Sequence, residues 1–153
     1  MTSLLWKWWT VIAGTALIVG GVAWILKLWV IVATDGRVVA TGAAGAFFDI
    51  GFYSLLVGST GIGERLMANQ EPSMRVVLAV ASPVAFFLSF ALFSGIGYAI
   101  LAVGGVLAGG SLPSYLLEEA GIFVSAVVWS VIGVVLLFGS VRKPRTAVTP
   151  QAE

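Results

Sequence analysis

The sequence predicts an all-α membrane protein, a four-transmembrane-helix antiparallel bundle with both termini on the cytoplasmic side. Three observations predict it. Hydrophobic residues make up 59 % of the 153 positions and charged ones only 10 %, where soluble domains carry about 25 % charge. Apolar runs long enough to cross a bilayer recur four times. Lys and Arg also fall mostly on one set of ends, which is the asymmetry that orients membrane helices.

The first span is expected at about 8–29. Trp8 to Leu26 carries no charge, and Lys27 is followed by a further apolar run to Ala33. About 20 helical residues cross the hydrocarbon core. Lys7 in front of an apolar stretch also suits a secretory signal, but the stretch exceeds a signal core of about 7–15 residues. It therefore reads as a retained anchor helix. Trp6, Trp8 and Trp9 around Lys7, and Trp24 and Trp29 around Lys27, read as headgroup-level anchors. In the first connection, Asp35-Gly36 lies between β-branched residues, which suits a type I′ hairpin. A lone hairpin is marginal in water, so continuation of the first helix to Ala33 is the preferred expectation.

The second span is expected at 41–61, apolar except for Asp49, and the connection from Gly63 to Met74 reads as a cytoplasmic loop. Positions 76–117 then run for 42 residues without a charge. That is too long for one span, and two spans of about 20 leave almost no turn. The third span is placed at 75–97, with a kink at Pro83 because proline has no N–H for the carbonyl of Ala79. Gly104-Gly105 and Gly109-Gly110 each weaken a helix interior by about 1 kcal/mol per residue. The helix is therefore expected to end or bend within 99–110 and to restart at a cap on Ser111 or Ser114, with Pro113 in its first turn. The fourth span is placed at 120–139. Residues 1–142 thus form a single transmembrane domain, and 143–153, with Pro144 and Pro150, a disordered cytoplasmic tail.

With both termini inside, Lys7, Arg65, Arg75, Arg142, Lys143 and Arg145 are cytoplasmic, against Arg37 and Lys27 outside. This fits an integral protein of the plasma (cytoplasmic) membrane. Small residues at four-residue spacing predict helix contacts. They are Ala16/Gly20, Ala81/Ala85/Ser89, Gly121/Ser125 and Ala126/Ser130.

The composition also narrows function. No Cys is present, so disulfides, thiolate catalysis, iron–sulfur clusters and Cys-bound zinc are excluded. No His is present either, which removes His-bound haem or metal and imidazole proton transfer. Gly58 to Gly63 lacks the preceding strand that a phosphate-cradling loop requires. Glu118 and Glu119 are neighbours on a helix and do not converge. They read as a solvated outer boundary facing Arg37. The expectation is no catalytic residue, no cofactor, no metal and no nucleic-acid partner.

Two polar residues inside spans remain as functional candidates, Asp49 and Lys27. A carboxylate mid-membrane costs about 2.5–3.5 kcal/mol on insertion scales. Asp49 lies ~3 Å from the centre of its span at 1.5 Å per residue. It is expected to face the bundle interior as a neutral carboxyl bonded to a hydroxyl such as Ser89, Ser125 or Ser130. The functional expectation is an accessory or scaffold subunit of a membrane complex, with the lipid bilayer and either that complex or a homo-oligomer as partners. The alternative is a small oligomeric transporter or channel that uses Asp49.

Overall fold

A computed structural model describes residues 2–66, 71–110 and 112–141. Among them the chain is helical, with no strand. The helices are α1 (Thr2–Ala33), α2 (Gly42–Leu66), α3 (Pro72–Leu107), the short α4 (Ser114–Glu118) and α5 (Ala120–Val141). Four of them contain segments long and apolar enough to cross a membrane: Trp8–Ala33, Gly42–Gly63, Pro72–Leu107 and Ala120–Gly139. The predicted tail at 143–153 lies outside the described residues.

α1 packs along α2 and α5, and α3 packs along the same two helices. The space between α1 and α3 is filled by rings. Trp24 stacks on Phe48 with centroids 6.0 Å apart and meets the edge of Phe90 at 5.5 Å. Phe86 lies 5.4 Å from Trp129 and 6.1 Å from Phe52. Trp24 is 1 % exposed and donates its Nε1 hydrogen to the carbonyl of Phe48 at 3.2 Å. A buried indole needs such an acceptor. This corrects one expectation: Trp29, 68 % exposed, can anchor at an interface, but Trp24 is core.

Backbones approach closely where glycines face each other. Gly14 and Gly133 bring α1 onto α5, and Gly21 lies against the carbonyl of Ala126. Gly20 faces Leu55 and Gly51 on α2, while Gly121 abuts Ser94 on α3. The Ala81/Ala85 ridge does not pack in this way. Both residues are exposed and border a cavity of about 230 Å³ between α2 and α3, with Ser59, Ile62 and Trp129 on its other side. Near the same end of α2, Arg65 donates to the carbonyl of Gly139 at 2.9 Å. A cation suits the negative end of a helix dipole.

The Asp35-Gly36 pair closes a helix rather than a hairpin. Gly36 N–H reaches the carbonyl of Ile31 (2.9 Å) and Asp35 N–H that of Val32 (3.1 Å). These are the two bonds of a Schellman cap. Asp35 has φ 51° and Gly36 φ 72°, so the same left-handed preference that favours a type I′ turn serves the cap.

The third helix differs most from expectation. It runs unbroken from Pro72, which occupies its first turn, through Pro83 and Gly104-Gly105 to Leu107. Its 36 residues span about 54 Å at 1.5 Å per residue. The second glycine doublet ends it, again as a Schellman cap: Gly110 N–H to Gly105 O and Gly109 N–H to Val106 O, both 3.1 Å, with Gly109 at φ 80°. Continuing the helix keeps the backbone groups of this segment paired, against a glycine penalty of about 1 kcal/mol per residue. The restart is α4, preceded by Pro113 in extended conformation and without a side-chain cap. Ser111 lies outside the described residues.

Candidate functional site

Lys27, Asp49 and Glu119 lie at one end of the molecule, where α1 ends, α2 begins and α4 meets α5. Lys27 lies six residues before the end of α1, about 9 Å down its axis. It is 5 % exposed, and its Nζ contacts Glu119 Oε2 at 2.5 Å. Glu119 sits at the joint between α4 and α5, where its carbonyl accepts the N–H of Ile122 and of Phe123. Glu119 thus stands at the N-terminal, positive end of α5, while its carboxylate meets the ammonium. The third neighbour is the ring of Phe48, whose centroid is 5.2 Å from Nζ, within cation–π range.

α4 is tied to the α1–α2 turn by Tyr115. Its hydroxyl donates to Asp35 Oδ1 at 3.2 Å, and its ring lies against Gly36. Partial burial, and then the adjoining Asp35 carboxylate, push the Tyr115 hydroxyl above its ordinary value. The tie fixes Glu119 over Lys27 from outside the spans. The residues that hold the ion pair are thus distant in sequence and joined through the α1 cap and one tyrosine.

Sequence reasoning missed this pair. Glu119 was expected to face solvent and Arg37. It is buried, whereas Glu118 and Arg37 are exposed. The available signal was antiparallel order: Lys27 near the C-terminal end of α1 and Glu119 just before the N-terminal end of α5 fall at the same end of the molecule. A lysine sealed between helices costs several kcal/mol if left unpaired.

Asp49 also departs from expectation. It is exposed and makes no hydrogen bond or ion pair among the described residues. Ser89 instead bonds the carbonyl of Phe86 (2.8 Å), and the buried hydroxyls of Ser125 and Ser130 have no partner among the described residues. Helical phase explains the difference. Phe48, Gly51, Phe52, Leu55 and Ser59 turn toward the other helices. Asp49 stands about 100° around the axis from Phe48, so the stacking of Phe48 on Trp24 turns Asp49 outward.

Asp49 and Lys27 are still neighbours in one respect. They border a cleft of about 220 Å³ with Val39, Ala40, Gly45 and Phe48. The one ammonium there is taken by Glu119, which leaves Asp49 unanswered. The cleft holds no nucleophile beside a base, and among the described residues no three Asp, Glu, His or Cys side chains converge on a metal position. What the arrangement offers chemically is charge: a sealed clamp between α1 and α5, and an unanswered carboxylate beside it. Set against protein-family models, curated proteins and solved structures, the chain matches none.

Proposed function

We propose that the protein is a non-catalytic accessory or scaffold subunit of a larger membrane complex. In this reading it is a four-helix antiparallel bundle in the plasma (cytoplasmic) membrane, with both termini inside. The observation that carries the subunit reading is Asp49, an unpartnered carboxylate on the outside of α2 within the Gly42–Gly63 span. Lipid cannot answer it, and an intramembrane carboxylate left to lipid costs about 2.5–3.5 kcal/mol or more. A neighbouring subunit can. Solubilisation of native membranes in mild detergent, followed by size-exclusion chromatography, tests this reading. The expected result is a stoichiometric complex with another membrane protein. Elution as a single chain or as copies of itself alone overturns it.

A specific observation favours a second reading, a small oligomeric transporter or channel: Lys27 and Asp49 share one cleft. Under it, the purified chain alone, reconstituted in liposomes, passes protons or cations, and Asp49→Asn stops the flux. Under the subunit reading no such flux is found.

Orientation has its own test. The distribution of basic residues supports a topology with the α1–α2 turn outside and the α2–α3 connection inside. Because the chain has no Cys, Ala40→Cys and Gln70→Cys each carry one thiol. In intact cells an impermeant thiol reagent labels residue 40 and spares residue 70. The opposite pattern inverts the topology.

A further inference from the structure

We propose that the outward stripe of α2, formed by Ala46, Asp49, Ile50, Tyr53 and Val57, is a docking surface for one partner transmembrane helix that carries a Lys or Arg level with Asp49. The proposal rests on the subunit reading above and gives that partner a chemistry. All five residues are exposed, with Tyr53 at 63 % and Ile50 at 48 %. Spacings of three and four residues put them on one side of the helix, opposite the face that meets Trp24 and Leu17. Ala46 is small and lets a second backbone come near, as helix contacts in lipid require. The Tyr53 hydroxyl has no partner among the described residues and adds a second polar group one turn from Asp49.

Charge decides the occupant. The cluster has two carboxylates and one ammonium, and the ammonium is committed to Glu119. The surplus negative charge at Asp49 calls for a cation from outside the chain. A second copy meeting this stripe with the same stripe would set Asp49 against Asp49, and like charges brought together in an interface cost several kcal/mol. Lys27 of such a copy is buried and cannot reach across. A lipid chain covers Ile50 and Val57 but leaves Asp49 unanswered. A helix with one basic side chain satisfies all of these at once.

The test uses the full-length protein in phosphatidylcholine liposomes with synthetic transmembrane peptides of Leu and Ala. Asp49 lies about 5 Å from the midpoint of Gly42–Gly63 at 1.5 Å per residue, so the probe has one Lys near its centre. A matched peptide has Leu there. Association is measured by energy transfer between labelled protein and labelled peptide. The Lys peptide is expected to bind about tenfold more tightly than the Leu peptide, equivalent to 1.4 kcal/mol. The preference disappears in Asp49→Asn, persists in Asp49→Glu and is unchanged by Leu88→Ala on the exposed side of α3. Thermal melting confirms that each variant is folded.

Equal binding of the two peptides overturns the proposal, as does a Lys preference that survives Asp49→Asn. So does a disulfide dimer formed in high yield by Tyr53→Cys, since a second copy would then occupy the stripe. The two readings fail separately. A stoichiometric native complex without the peptide preference removes only the docking surface. A chain that purifies alone yet keeps the preference removes only the subunit reading.

Discussion

Lys27→Met is expected to lower the stability of the detergent-solubilised protein by about 3–5 kcal/mol, the usual cost of removing one partner of a buried ion pair. Glu119→Gln should cost a similar amount. The reason is not that the pair contributes that much. Each variant leaves one charge buried between the helices, with its former partner gone. Lys27 and Glu119 side chains are only 6 % and 11 % exposed, so water cannot replace the missing group. The double variant Lys27→Met/Glu119→Leu removes both charges and keeps the volume, and replacement of a buried pair by apolar residues is commonly neutral or stabilising. Its melting temperature should return close to that of the parent chain. The double-mutant cycle in thermal melting is the measurement. If the double variant loses the sum of the two single losses, the residues are not paired and the clamp between α1 and α5 is wrong.

The spans were legible because they need only two properties, length and absence of charge, and both are written directly in the chain. Helix ends were legible in residue type but not in outcome. Asp35-Gly36 announced two left-handed residues, and a hairpin and a helix cap both use them. Gly104-Gly105 and Gly109-Gly110 looked alike as sequence. Only the second doublet ends α3, because Gly109 takes the left-handed conformation that closes the cap. The site was harder still. Which side of α2 carries Asp49 depends on the rotation of the helix, and that rotation is set by the seating of Phe48 on Trp24, a contact between residues 24 apart. The pairing of Lys27 with Glu119 joins residues 92 apart. Composition showed that both charges existed, but the sequence reading set Glu119 in solvent rather than level with Lys27. Their meeting follows from packing that no local pattern records, and the Tyr115 tie to Asp35 adds a third long-range constraint at the same end.

The other large effect is expected from one methyl group. In Gly51→Ala the new Cβ would overlap the Cδ1 and Nε1 of Trp24 and come within 2.9 Å of its Cγ. Trp24 cannot step aside cheaply. Its ring is stacked on Phe48, edged by Phe90 and held by a hydrogen bond to the Phe48 carbonyl. Moving it disturbs α1, α2 and α3 together. Overpacking of a tight core costs about 1–3 kcal/mol and sometimes more, and the upper part of that range is expected here. Gly95→Ala provides the contrast within the same protein. Gly95 also lies inside a long helix, but nothing stands within 4 Å of the position a Cβ would take. Alanine there removes the helix penalty of glycine, about 0.5–1 kcal/mol, so this variant should melt at the parent temperature or above. The two substitutions are chemically identical and should differ in sign. Trp24→Leu tests the cause. Alone it loses ring contacts, but combined with Gly51→Ala it should cost less than the sum of the two, since the methyl then has room. Additive losses in that combination, or equal melting of Gly51→Ala and Gly95→Ala, would show that the indole does not sit against Gly51. The rotation of α2 that turns Asp49 outward would then have to be redrawn.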